Sequence, residues 1–189
     1  MSTNKRIGLV AAPAQSRGTS MLEILITILI LSVGMLGLAA LQGKAHTSEL
    51  ESYQRGQALV LLQDINSRME GNMNDAANYV TTGVGTGAID AADCTTSGTR
   101  AAIDLCEWSK ALKGSSETKG GSTTKQGAMI DGRGCVTATG TSVYLISVVW
   151  QGLDATAAPA TACGQNLYDS EATRRAVSMP FLVPDLSAS

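Results

Sequence analysis

Arg17-Gly18-Thr19-Ser20-Met21-Leu22-Glu23 leads directly into Ile24-Leu25-Ile26-Thr27-Ile28-Leu29-Ile30-Leu31-Ser32-Val33-Gly34-Met35-Leu36-Gly37-Leu38-Ala39-Ala40-Leu41. No residue from Ile24 to Gln42 is charged. As a helix rising about 1.5 Å per residue, Ile24–Leu41 covers roughly 27 Å, and with Thr19–Leu22 added it is long enough to cross a bilayer. Lys5, Arg6 and Arg17 precede it with no acid among them, a bias that holds the N-terminus in the cytoplasm and sends the C-terminus across. Glu23 is the anomaly. An ionised carboxylate costs about 2.5–3.5 kcal/mol at the centre of such a span and less near its end. The next cation towards the C-terminus is Lys44, nearly six turns away. A cut after Gly18 would create an α-amino group on Thr19, one helical turn from Glu23. The helix dipole also favours a carboxylate at that end.

These residues resemble the processing site of type IV prepilins: a basic leader, Gly18, Glu23 as the fifth residue after it, then an uninterrupted apolar helix. The resemblance implies that a prepilin peptidase cuts between Gly18 and Thr19 on the cytoplasmic face and N-methylates Thr19. It also implies that Glu23 guides docking of each subunit on its neighbour. Two plainer readings compete. A secretory signal peptide has a basic start and an apolar core, but a shorter one, and Gly37-Leu38-Ala39 would be its cleavage site. A signal anchor with an incidental glutamate is the other.

The chain has 189 residues and a formal net charge of −2. Residues 1–18 hold three basic residues and no acid, so a chain starting at Thr19 has 11 Lys+Arg against 16 Asp+Glu, a net −5. That sign argues against nucleic-acid binding, which needs a basic footprint. Cys94, Cys106, Cys135 and Cys163 contain no C-x-x-C pair, and His46 is the only histidine, so no metal site is expected. An even number of cysteines in a translocated segment suits disulfides. Three pairings are open, and short local loops favour Cys94–Cys106 with Cys135–Cys163.

Beyond Lys44 the pattern turns amphipathic. Leu50, Tyr53, Ala58, Leu61, Leu62, Ile65 and Met69 recur at three- and four-residue steps, with Glu49, Glu51, Gln54, Arg55, Gln63, Asp64 and Arg68 on the other surface. Gly71, with Asn72 and Asn74, ends the helix. The expectation is one helix of about fifty residues, half in the membrane and half lying on a globular domain. Gly34, Gly37 and Gly43 weaken it by about 1 kcal/mol each relative to alanine. They serve either close helix packing and local melting or are ordinary membrane-helix glycines.

Residues 72–127 read as a connecting region, with Thr82–Gly87 a flexible loop and Ala101–Leu112 a short helix carrying Leu105, Trp108 and Leu112 on one face. Ala128–Ile130 leads to an Asp131-Gly132 turn, Cys135–Thr137 follows, and Thr139–Ser142 forms a hairpin loop. Val143–Trp150 is the strongest strand, with Tyr144, Ile146, Val148 and Trp150 facing the long helix. A last strand, Ala176–Val183, contains Pro180, which points to an edge or a bulge. The fold class is therefore α+β: a long N-terminal helix on a small antiparallel sheet. Expected divisions are 1–18 leader, 19–42 transmembrane helix, 43–70 amphipathic continuation and 71–189 globular domain.

No catalytic constellation is present, and neither an enzyme activity nor a cofactor is expected. His46 reads as an interfacial surface residue. Asp90, Asp93 and Asp104 lack an EF-hand spacing. Trp108 and Trp150 read as core or loop anchors, and Arg174-Arg175 as a solvated pair.

A second resemblance covers both ends of the chain. Leu31–Gln42, Arg133-Gly134-Cys135, Tyr144 through Val149-Trp150-Gln151-Gly152, Cys163-Gly164 and Arg174-Arg175 look like the PilV-type minor pilins of Gram-negative bacteria. Ala40 stands where major pilins often carry a proline, which favours a minor subunit. The resemblance implies a pilin-like fold and a role in priming pilus assembly, and so in twitching motility or adhesion. Its implied partners are the prepilin peptidase, other minor pilins, the major pilin and inner-membrane lipid. The precursor would sit N-in, C-out in the inner membrane with a periplasmic domain, then move to the pilus. A pseudopilin of a type II secretion or DNA-uptake machine is the alternative, and a secreted or membrane-anchored enzyme is the alternative of another class.

Overall fold

The computed structural model describes residues 20–89, 93–114 and 129–184. Among these, helix α1 runs unbroken over Met21–Glu70. Strand β1 follows at Thr81–Gly85, helix α2 at Arg100–Leu112, and strands β2, β3 and β4 at Ile130–Gly140, Val143–Gln151 and Arg174–Leu182. The four strands form one antiparallel sheet in the order β1-β2-β3-β4. The fold is thus α+β, as the sequence predicts. The chain divides into two compact units at Lys44 and Ala45, so the second half of α1 belongs to the unit that holds the sheet.

That half contributes Ala58, Leu62, Ile65 and Met69 to the core, where they join Trp108 and Leu112 of α2 and Val136, Ile146, Val148 and Trp150 of the sheet. Each large apolar side chain so buried contributes about 1.5–3 kcal/mol. Gly71 ends α1 as expected: its N–H and that of Asn72 close on the carbonyls of Ser67 and Met69. Thr99 caps α2 by accepting from the Ala102 N–H. The alternation along β3 buries Ile146, Val148 and Trp150 on the helix face.

Several expectations are corrected. Leu50 and Tyr53 are about half exposed, whereas Gln54 is buried and Glu51 half-buried. The expected stripe holds at Ala58, Leu62, Ile65 and Met69 and fails only at its start, Leu50 and Tyr53. Thr82–Gly87 is not simply a loop: residues 81–85 form β1 on the edge of the sheet. Asp131-Gly132 is not a turn between strands. Asp131 adopts a left-handed φ of 53°, and the register shift between Ile130 and Arg133 is a bulge inside one long β2. Two glycines of β2 let α2 come close. A Cβ on Gly132 would lie 2.8 Å from the Leu112 carbonyl, and one on Gly134 would lie 2.3 Å from the Trp108 ring. The β2–β3 turn narrows to Thr141-Ser142.

Candidate functional site

The N-terminal unit presents the first surface. Glu23 lies in the first turn of α1, and its N–H bonds the Ser20 carbonyl at 2.9 Å. Its side chain is exposed and makes no ion pair among the described residues. Gly18 and Thr19, the expected cleavage and methylation positions, lie outside the described residues. Every residue from Met21 to Leu41 is exposed. The two hydroxyls in this run turn inward on their own helix: Thr27 Oγ1 donates to the Ile24 carbonyl at 2.8 Å and Ser32 Oγ to the Ile28 carbonyl at 2.6 Å. From Ile24 to Leu41, then, neither hydroxyl needs water, the condition hydrocarbon imposes. This is the one helix among the described residues that is long and apolar enough to span a membrane. A Cβ added at Gly34, Gly37 or Gly43 would meet nothing within 4 Å. His46 is exposed, 3.7 Å from Glu49.

In the second unit the disulfides are Cys94–Cys106, which ties the Cys94–Ser97 turn to α2, and Cys135–Cys163, which ties β2 to the segment between β3 and β4. Trp108 and Trp150 are core residues. The Trp108 Nε1–H reaches the Leu61 carbonyl at 2.9 Å, while the buried Trp150 Nε1–H has no acceptor among the described residues.

Asp104 is no cation ligand of the open surface. It is fully buried and accepts from the Tyr79 hydroxyl, from Arg68 at 3.1 Å and from Arg100 at 3.0 Å. Arg68 also holds Asp64 and Glu107. Burial opposes the charge on Arg68, but these three carboxylates raise its pKa above an already high value. Burial, helped by Asp104, pushes the Tyr79 phenol up to about 12. Asp93 caps the neighbouring turn, accepting from the Thr95 N–H, and Asp90 lies outside the described residues.

Arg174-Arg175 is not a solvated pair. Arg174 is 2 % exposed and gathers the segment before β4, donating to the carbonyls of Pro159, Thr161 and Cys163 and to Glu171. Arg175 bonds the Glu51 carboxylate at 3.0 Å and the carbonyls of Ala172 and Asp154. Burial works against ionisation of Glu51, yet N–H donation from Asp154 and Leu153 and the Arg175 charge hold its carboxyl below the usual range. Sequence reasoning missed this clasp. The local signals were the i, i+3 spacing of Glu171–Arg174 and, in the separate Arg68 cluster, the i, i+4 spacing of Asp64–Arg68 and Arg100–Asp104; nothing local pairs Glu51 with Arg175.

Comparison with known protein families, with characterised proteins and with solved structures finds no match for this chain.

Proposed function

We propose that this chain is a minor type IV pilin, a structural subunit rather than an enzyme. The observation that carries the reading is the form of α1: one 50-residue helix whose first half is apolar and fully exposed and whose second half packs on a four-stranded antiparallel sheet. Such a helix suits a subunit stored in a bilayer and then transferred into a filament whose interior replaces the lipid. On this reading Gly18–Thr19 is the peptidase site, Thr19 the methylated residue, and Glu23 the group that meets a neighbouring subunit's N-terminal amine. The precursor sits N-in, C-out in the inner membrane. The disulfides suit a domain that matures outside the cytoplasm. Its partners are the peptidase, other minor pilins and the major pilin, with roles in assembly priming, twitching motility or adhesion.

Mass spectrometry of the mature N-terminus tests this. A chain beginning at Thr19 with one added methyl group is expected; an intact leader, or a start near Ala40, overturns it. The Glu23→Ala variant should be cut normally and fail to enter pili, and normal incorporation would remove the docking role. Co-purification with a secretion machine instead of pilus proteins would make the chain a pseudopilin.

A further inference from the structure

Of the described arginines, Arg68, Arg100, Arg133, Arg174 and Arg175 all make ion pairs. Arg55 alone makes none among the described residues, and its side chain is exposed. It stands at a cleft of about 200 Å³ in the second unit, lined also by Ser48, Glu51, Ser52, Trp150 and Arg175. Ser48, Ser52 and Arg55 fall at i, i+4 and i+7, on one face of α1. Neither serine hydroxyl has a partner among the described residues. Glu51 faces the same space, but its Oε1 already accepts from the N–H groups of Leu153 and Asp154 and from Arg175. The charged groups thus sum to one positive charge, and the spare donors are those of the Arg55 side and the buried Trp150 Nε1–H, which has no acceptor among the described residues. Leu59, one turn past Arg55 on the same face, is exposed.

We infer that this cleft is a docking site for a carboxylate carried by an acidic side chain of another protein chain. A free guanidinium beside two hydroxyls offers the forked donor set that a carboxylate fills with charge-assisted bonds. The volume decides the size class: it is below the roughly 300–1,000 Å³ of small-molecule pockets, yet ample for the end of one glutamate or aspartate side chain. The Leu59 side chain next to it gives a protein partner an apolar contact that a free anion cannot use. This inference is independent of the pilin reading.

The test uses the full chain in detergent micelles, with the indole and guanidinium N–H resonances followed by NMR. The probes are a blocked peptide with one glutamate beside a leucine, the same peptide with glutamine, and acetate. The glutamate peptide should shift the Arg55 Nε–H and Trp150 Nε1–H signals saturably. Arg55→Gln, an exposed change that spares the core, should weaken it roughly tenfold, the loss expected for a charge-assisted bond. The glutamine peptide should shift nothing. Equal shifts from the glutamine peptide, undiminished binding in Arg55→Gln, or no saturable shift overturns the site. Acetate binding as tightly as the glutamate peptide overturns the protein partner.

Discussion

The two halves of α1 are one helix made by opposite rules. Residues 21–41 are charge-free except for Glu23 and bury nothing within the chain. Residues 45–70 are charged on most turns, and their buried stripe, Gln54, Ala58, Leu62, Ile65 and Met69, carries the sheet. The second half is stabilised by its own chain, as amphipathic helices in globular domains are. The first half leaves every apolar side chain uncovered within the chain, and it is long and apolar enough to cross a membrane. The difference teaches that one continuous helix can serve the domain's core with one half while the other half adds nothing to that core.

Substitutions can break that separation or sharpen it. The largest loss should come from Asp104→Ala. It removes the nearer acceptor of the buried Tyr79 hydroxyl and leaves Arg68 and Arg100 short of a partner, at a cost of about 3–5 kcal/mol. Thermal melting followed by near-ultraviolet circular dichroism would measure it. Next is Ile65→Ala, which empties a fully buried site and should cost about 2–5 kcal/mol in the same melt. Ile30→Ala is the control in the first half. Ile30 is 63 % exposed, and its truncation should change the domain's stability by less than about 0.5 kcal/mol. A loss from Ile30→Ala comparable to that from Ile65→Ala would show that the two halves are not independent.

The same contrast governs what could be read from the chain. The apolar run, the helix end at Gly71, the β3 alternation and the two local disulfides each rest on a short-range pattern, and each appears where that pattern puts it. The inward place of Glu51 at the start of the stripe could not be read, because its donors, Leu153, Asp154 and Arg175, lie over 100 residues away. Leu50 and Tyr53 are consequently left exposed on the flank. β1 was hidden because Thr81-Thr82-Gly83-Val84-Gly85 has little strand propensity of its own. Pairing with β2 and the bond from the Gly85 N–H to Ser109 Oγ hold it. Arg174 looks like any surface arginine until the carbonyls of Pro159, Thr161 and Cys163 converge on it. The expected Gly18–Thr19 site lies outside the described residues, so its reading rests on the sequence alone.

The pH-dependent effect is the most selective. Tyr79 ties the segment after α1 to Asp104, and through Asp104 to Arg68 of α1's second half; no comparable group lies in the first half. Its phenol is raised from 10.0 to about 12 by burial first and Asp104 second. A raised pKa means that the folded state keeps a proton the unfolded chain releases. The contribution is therefore complete below pH 10 and is lost as pH climbs towards 12. Burial and the Asp131 carboxylate raise Tyr168 as well, so the total alkaline loss is not diagnostic. The difference between wild type and Tyr79→Phe is. The variant should be less stable at neutral pH, having lost the bond to Asp104, and its melting temperature should fall less steeply above pH 10. If the two melting curves stay parallel from pH 9 to about 12, Tyr79 is not coupled to Asp104 as its hydrogen bond implies.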